Sequence, residues 1–360
     1  MTQISAFGST AENEAIATSG VDGSTLRAEA TASLPRLGFL GVGWIGRHRL
    51  EAIVDSGGAT IGAVADRDFA VADRVASAHA GAVAVPSIKD LINLKLDGIV
   101  VATPTALHTE QAIALLESGT AVFCQKPLGR NVHEINQAIH AAHRANRLLG
   151  VDMSYRFVRG VKKIKQLTSA GAIGEIYAFD LLFHNAHGPD KTWYYDSQLS
   201  GGGCVIDLGI HLVDLALWIL DFAPVRQVSS RLFVQGKPWR KNDRPLEDYA
   251  VARLDFYGGA TANLACSWNL PAGKEAVIGM SLFGTKGGLA IHNIGGSYFD
   301  FRTERYHGTA SEILDEAPDA WGGGAALAWL EQLAISSAHN AKIEQAQKVA
   351  EVIDAIYECA

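Results

Sequence analysis

Cysteine is scarce in this chain. Its 360 residues hold four, Cys124, Cys204, Cys266 and Cys359, far apart and without a C-x-x-C pair. No disulfide framework is indicated, and buried free thiols in a reducing compartment are the expectation. Basic residues are outnumbered, 31 Lys and Arg against 38 Asp and Glu, a net charge of −7. No basic cluster occurs, which removes electrostatic support for a nucleic-acid or acidic-membrane partner. No apolar run reaches the length of a membrane span, and no internal repeat is evident. The first 35 residues are rich in Ala, Ser, Thr, Gly and Glu. They lack a basic start and a continuous apolar segment, so they do not read as a secretory signal, and a cytoplasmic location is expected. Their low hydrophobicity predicts a flexible extension over 1–35, with an arm that orders against a partner subunit as the alternative. The remaining composition, 48% hydrophobic and 19% charged, is that of an ordinary globular chain long enough for two domains.

The chain is organised around Arg36 to Arg67. A short apolar run leads into Gly41-Val-Gly-Trp-Ile-Gly46, a G-x-G-x-x-G motif. A helix-compatible segment follows from about Trp44 to Ser56, and a second apolar run ends in Asp66, 20 residues after Gly46. Strand, turn, helix, strand and acid at this spacing form the context of a dinucleotide fingerprint. Gly41 permits the tight turn, Gly43 lets the backbone approach a pyrophosphate, and Gly46 lets helix and strand pack closely. The free amides at the helix start, at Trp44 and Ile45, then face phosphate charge. Asp66 can accept from the adenosine ribose hydroxyls, which favours NAD over NADP. Arg67 leaves NADP possible, because its guanidinium could meet a 2′-phosphate.

Apolar runs and helical segments alternate up to about residue 153. Helices are expected over Ala70–Ala80, Ser87–Leu94, Ala106–Ser118 and Asn131–Arg147. Strands are expected over Gly81–Val85, Asp97–Ala102, Ala121–Cys124 and Leu148–Asp152. This alternation implies an α/β fold with a doubly wound parallel sheet. The loops at Gly41, Asp66, Thr103 and Lys126 should then converge at its carboxyl edge. After Met153, a helix over Val158–Ser169 precedes strand-like runs at Ile176–His184, Val228–Gln235, Tyr249–Tyr257, Ala260–Trp268, Val277–Phe283 and Leu289–Ile294. Gly258-Gly259 and Lys286-Gly287-Gly288 read as hairpin turns. A mainly antiparallel sheet follows, with a helix from about Cys204 to Leu220 inserted. Helices near Ala325–Ala338 and Lys342–Glu358 close the chain.

Two groups of residues could do chemistry. Lys126 follows a buried strand and precedes Pro127, which restricts it to an extended backbone and fixes the direction of its ammonium; a plain surface lysine is the alternative. Asp207 and His211 lie four apart, on one face of a helix, after the run Gly201-Gly-Gly203. An acid beside a histidine can hold its tautomer and stabilise the imidazolium. The alternatives are a helix salt bridge, or a metal site completed by His184 or His187. No tight ligand cluster exists, so no metal is expected.

Together these motifs resemble the glucose-fructose oxidoreductase / inositol dehydrogenase / rhizopine-catabolism (Gfo/Idh/MocA) family. The matching pieces are Gly41 to Gly46, Ala102-Thr103-Pro104 with His108, Gln125-Lys126-Pro127, Gly171-Ala-Ile-Gly-Glu175, and Gly202-Gly203 with Asp207, His211 and Asp214. They stand in the family's order and span about residues 36–360. The resemblance implies a Rossmann domain over 36–153 and an open-faced-sheet domain for substrate and oligomerisation over 154–340. It implies a C-terminal helix over 341–360 packing back toward the first domain, and homodimers or homotetramers paired through the second sheet. It also implies hydride transfer between NAD(P) and a sugar or polyol, with Thr103, Pro104, His108, Gln125 and Lys126 near the cofactor. His211 would then be the acid/base, Lys126 would orient the reacting oxygen, and Asp207 would hold His211. The family usually has Glu before the Lys-Pro pair. Gln125 keeps an acceptor there but removes a charge beside Lys126. The polar, aromatic segment from His184 through Trp193 to Asp196, with Tyr155 and Arg156, could stack on a sugar and bond its hydroxyls. An ordinary structured loop is the alternative there. Two other functions stay open: a glycoside hydrolase that retains its NAD, and a non-enzymatic nucleotide or sugar sensor.

Overall fold

The computed structural model describes residues 34–241 and 243–360. The expected extension over 1–35 lies, but for its last two residues, outside the described residues. The first sheet is laid down by β1 (Arg36–Leu40), α1 (Trp44–Ser56), β2 (Thr60–Ala65), α2 (Phe69–Ser77), β3 (Val83–Ala84), α3 (Ile88–Asn93), β4 (Gly98–Val101), α4 (Thr105–Glu117), β5 (Ala121–Cys124), α5 (Val132–Ala145) and β6 (Leu149–Val151). Its six strands run in the order β3-β2-β1-β4-β5-β6, and every pairing is parallel. The short apolar runs are buried along nearly their whole length, as a sheet covered on both faces requires. Strand order reverses between β1 and β4, which opens a crevice beyond their carboxyl ends. Asp68, Ser87 and Asn131 cap α2, α3 and α5 through their side chains. The two helices that start at the crevice, α1 and α4, have no side-chain cap.

The second part holds α6 (Arg159–Ser169), β7 (Ile176–Asn185), α7 (Ser197–Ser200), a π-helical turn (Val205–Gly209) and α8 (Ile210–Ile219). Strands β8 (Val225–Val234), β9 (Lys237–Trp239), β10 (Tyr249–Phe256), β11 (Thr261–Ser267), β12 (Ala276–Gly284), β13 (Gly287–Asn293), β14 (Phe301–His307) and β15 (Ala310–Glu316) follow, then α9 (Gly324–Ile335) and α10 (Glu344–Glu358). Nine strands form one sheet in the order β15-β14-β13-β12-β7-β11-β10-β8-β9. Its pairings are antiparallel except that of β7 with β11. The hairpin turn before β13 falls at Thr285-Lys286, slightly ahead of the expected glycine pair. Strands β9, β14 and β15 go beyond the sequence expectation. β14 and β15 are rich in charge, and Arg302 pairs with Glu316 across them. Charged side chains blunt this sheet edge and hide the apolar alternation.

Helix α9 departs from the expected division. That division places it with residues 154–340, yet Ala325, Ala326, Trp329, Leu330 and Leu333 lie in the core of the first sheet. The Trp329 ring sits 5.7 Å from that of Phe123, and a Cβ on Gly98 or Gly150 would strike the indole. Helix α10 serves both cores. Ala346 and Ala350 face the first sheet, while Val349, Val352, Ile353 and Ile356 face the second. The helical stretch Ser197–Ile219 is long and apolar enough to cross a membrane by composition, contrary to expectation, but it is mostly buried inside the fold.

Candidate active site

The glycine loop packs as its pattern requires. Gly41 has φ +88°, and a Cβ there would lie 2.6 Å from the carbonyl oxygen of Ala102 on the next strand's loop. A Cβ on Gly46 would lie 2.1 Å from the Gly41 carbonyl. Around Gly43 there is nothing within 4 Å, so this is the point of the loop left open to a ligand. Beside it the first-turn amides of α1, at Trp44 and Ile45, have no side-chain cap, and such a helix start suits phosphate. Asp66 ends β2. Its carboxylate accepts from the amide of Val42 at 2.8 Å and from that of Asp68 at 3.0 Å, which pins it beside the glycine loop with lone pairs to spare. Arg67 is exposed next to it. A dinucleotide cofactor therefore fits these residues.

The other loops are tied to one another. His108 on α4 bonds the carbonyls of Thr103 and Pro127, each at 2.7 Å, and so joins the loops after β4 and β5. Burial, the largest influence, holds its pKa below the ordinary value, against those two bonds. Thr103 donates its hydroxyl to Gln111 at 2.6 Å, and Pro104 opens α4. Lys126, at the end of β5, reaches into the second part of the chain. Its Nζ donates to the carbonyl of Asp207 at 2.6 Å and to Asp207 Oδ1 at 3.0 Å. The other oxygen, Oδ2, accepts from the Trp268 indole at 3.0 Å. His211 is buried a turn further on, with Tyr155 tilted against it at 4.8 Å and Phe183 at 6.1 Å. Trp321 covers Tyr155 at 4.9 Å. The outcome is a lysine–carboxylate pair and a histidine at the carboxyl edge of a nucleotide-binding sheet.

Residues 36–153 match the family model described as an oxidoreductase family, NAD-binding Rossmann fold, and residues 161–290 match the GFO/IDH/MocA C-terminal domain. The chain belongs to the GFO/IDH/MocA oxidoreductase family. It is 30% identical over 248 residues to inositol 2-dehydrogenase 3 of Saccharopolyspora erythraea, covering 67% of this chain and 68% of that protein. It is 26% identical over 211 residues to the D-glucoside 3-dehydrogenase of Escherichia coli, covering 56% of this chain and 60% of that protein. Among solved structures it resembles levoglucosan dehydrogenase in complex with NADH, at TM-score 0.78 and 19% identity over 91% of this chain and 97% of that one. It also resembles a 3-ketoreductase of Actinomadura kijaniata in complex with NADP, at TM-score 0.78 and 21% identity over 91% and 98%. At these identities the structural likeness concerns the fold.

Within this GFO/IDH/MocA member several expected roles shift. Asp207 was expected to hold His211, but among the described residues no hydrogen bond joins them. The helix does not run evenly through this stretch. Residues 205–209 form a π turn, whose hydrogen-bonded step is five residues, so four positions no longer complete a turn and Asp207 faces Lys126 instead. Burial lowers the His211 pKa well below its ordinary value, and the charges of Lys126 and Arg49 lower it further. His211 is therefore a neutral imidazole at neutral pH. His184 does not join the site. Successive residues of β7 face opposite sides of the sheet. Phe183 faces His211, whereas His184 faces away, bonded to Ser267 at 2.8 Å and stacked on Tyr249. Arg156 is also committed elsewhere. Its guanidinium grips the buried Asp214 and Gln345, and Trp218 and Phe222 lie within 6 Å of its charge. Trp193 stacks on Tyr194 at 3.8 Å. Tyr194 and Tyr195 of the same loop both lie near Asp207: burial and then that carboxylate push each phenol upward, and the Tyr195 ring sits 5.5 Å from that of Trp268.

Gln125 reaches a residue that sequence reasoning missed. Its amide donates to Asp152 Oδ2, which also accepts from Arg49 Nε at 2.5 Å. Arg49 lies on α1 and Asp152 just beyond β6, and both are buried. A charged residue inside an otherwise apolar segment was the one available sign. Trp268 and Trp321 gave none, because a distant strand and loop bring them in. No cluster of three metal-ligating side chains occurs among the described residues.

Proposed function

We propose that this chain transfers a hydride between a nicotinamide cofactor and a secondary hydroxyl or ketone of a sugar, polyol or cyclitol. The observation that carries this reading is the Lys126–Asp207 pair set beside an uncharged His211 at the crevice of the first sheet. Gly41, Gly43, Trp44, Ile45, Gly46, Asp66, Arg67, Thr103 and Pro104 would hold the cofactor, and the bound nicotinamide supplies the hydride acceptor or donor. NAD is favoured over NADP because the Asp66 carboxylate, fixed by two backbone amides, would repel a 2′-phosphate.

In the oxidation direction His211 takes the hydroxyl proton as the carbinol carbon gives up its hydride. The depressed pKa of His211 keeps it unprotonated and ready to act. Lys126 has three N–H donors. Two are held by the carbonyl and carboxylate of Asp207, and the third is free to donate to the reacting oxygen and steady the developing alkoxide. Asp207 thus acts as the anchor of Lys126. Tyr155, Tyr194 and Trp193 offer aromatic surface to the C–H faces of a sugar. The names of the relatives, a glucoside dehydrogenase and an inositol dehydrogenase, support this substrate class. Pairing of two copies through the second sheet is part of the same proposal. Its helix-free face carries exposed Leu182, and sedimentation of the purified chain as a monomer would count against it.

The deciding experiment mixes purified protein with NAD or NADP and a panel of cyclitols, aldoses, glycosides and sugar acids, and follows absorbance of the reduced nicotinamide. Turnover with one class, lost in Lys126→Ala and in His211→Ala, is the expected result. Silence across the panel in both directions, with nucleotide bound, would overturn it in favour of a hydrolase that retains its NAD or a sensor.

A further inference from the structure

The turn that carries Asp207 begins without a cap of its own. Gly201, Gly202 and Gly203 lead into it, and the residue at its start, Cys204, gives no side-chain hydrogen bond to its amides. Three successive amides are instead taken up by one residue from the loop before β10. Glu247 Oε1 accepts from Gly203 N at 2.9 Å and from Val205 N at 3.2 Å. The Glu247 main-chain carbonyl accepts from Cys204 N at 3.1 Å. Tyr357 of α10 donates its hydroxyl to the same Oε1 at 2.6 Å. The fit leaves no slack. A Cβ on Gly203 would lie 2.1 Å from the Glu247 carbonyl oxygen, and one on Gly202 2.1 Å from the Tyr357 hydroxyl.

Glu247 is fully buried and its Oε2 has no partner. As a mere cap this is a poor choice, because a buried carboxylate with a spare oxygen is costly and Ser or Asn would serve at lower cost. What distinguishes the position is the next step along the chain. The Asp207 amide bonds the carbonyl of Gly203 at 3.2 Å, and the Asp207 carbonyl is itself an acceptor for Lys126 Nζ. Any rotation of the Gly203–Val205 peptide planes therefore moves an atom that holds the lysine.

We infer that Glu247 is a positioning residue for hydride transfer, fixing the π turn so that the Asp207 carbonyl and carboxylate hold Lys126 in place. The inference rests on the proposed roles of Lys126, Asp207 and His211. Burial pushes the Glu247 carboxyl up to about 7, against the bonds from Tyr357 and the two amides. The titratable groups facing it are Tyr357 on α10, Cys204 on the turn, Cys266 on β11 and its neighbour Asp248. Burial pushes Tyr357 and Cys204 upward, so both stay uncharged as Glu247 titrates.

The test compares Glu247→Gln, Glu247→Ala and Tyr357→Phe in the full chain with NAD bound. Two readouts are taken: the rate at which an amine-reactive acylating reagent labels Lys126, read by mass spectrometry, and the pH profile of NAD reduction with the sugar or polyol found in the panel. In Glu247→Ala, Lys126 labelling should rise several-fold and kcat should fall by about 10- to 100-fold, the scale of a small misplacement of a reacting group. Glu247→Gln, which keeps an acceptor oxygen, should label and turn over close to the parent while losing the limb near pH 7. A folded Glu247→Ala that labels at the parent rate with the parent pH profile overturns the inference. Where the alanine variant does not fold, an unchanged limb in Glu247→Gln together with parent labelling in Tyr357→Phe overturns it equally. Turnover that survives Lys126→Ala would instead refute the proposed roles, and the labelling rates would still decide whether Glu247 holds Lys126.

Discussion

Gln125→Glu exchanges an amide for a carboxylate of the same shape, and the structure gives that exchange a definite energetic signature. In the native chain the Gln125 amide and Arg49 both donate to Asp152 Oδ2, and the Asp152 side chain is 0% exposed. The substitution would remove one donor to a buried charge, a loss of roughly 1.5–3 kcal/mol. It would also set two carboxylates around a single guanidinium, a repulsion of about 4 kcal/mol at roughly 4 Å and an effective dielectric of about 20. A new attraction to Arg49 offsets part of this. Proton uptake limits the rest, because the introduced carboxyl, once protonated, can donate to Asp152 and restore the bond. Protonating a carboxyl of ordinary pKa, about 4.3, takes about 3.7 kcal/mol at roughly pH 7 and about 1 kcal/mol at roughly pH 5. The expected destabilisation is therefore roughly 3–4 kcal/mol near neutrality, shrinking to about 1 kcal/mol in mild acid. The sign follows from proton counting: the folded variant binds the extra proton, so its stability falls as pH rises above the ordinary carboxyl value. Urea unfolding of both proteins, followed by circular dichroism at the two pH values, measures this directly. Equal stability of variant and parent near neutrality, or an equal loss at both pH values, would refute the reasoning.

The same proton counting applies to two other buried groups. Burial pushes the Glu247 carboxyl from an ordinary 4.5 up to about 7 in the fold, so it lowers stability by about 3 kcal/mol as pH rises through that window, and Glu247→Gln should flatten the stability profile between those two values. His211 acts with the opposite sign: its folded pKa is depressed, so stability is lost as pH falls below its ordinary value of 6.5, and His211→Gln should soften the acid side. Two glycines of the same loop should separate binding from folding. Gly43→Ala adds a methyl where nothing lies within 4 Å, so it should keep the parent melting temperature and weaken NAD binding in calorimetry, whereas Gly46→Ala forces a Cβ to 2.1 Å from the Gly41 carbonyl and should lower the melting temperature itself. Trp329→Ala should destabilise the first sheet by roughly 3–5 kcal/mol in urea unfolding, although the residue lies far along the chain from that sheet.

The glycine loop, Asp66 and the alternation that follows were legible because each is a local pattern. A strand of four or five apolar residues, a turn that tolerates no side chain and an amphipathic helix each impose their own period on consecutive residues. Lys126 was legible because the strand before it and the proline after it fix its place at a sheet edge. The strands β14 and β15 were not, because their alternation is written in charges that pair across an edge. The pairing of Asp207 with His211 was inferred from a spacing valid only in an even α-helix. The winding of residues 205–209 depends on amides held by Glu247, about forty positions later in the chain.

The sequence by itself determined the nucleotide-binding half of this protein, its family and the candidate residues for proton transfer, since these reside in short motifs whose physics is local. The tertiary structure alone decided which groups meet. It turned Asp207 toward Lys126 and set Gln125 against Asp152 and Arg49. It sent His184 to the far side of a sheet and committed Arg156 to Asp214. It also covered the first sheet with Trp329 from the far end of the chain. The reason is that a contact between distant segments depends on which way a strand alternates and how a turn winds, and those are settled only when the two layers pack together.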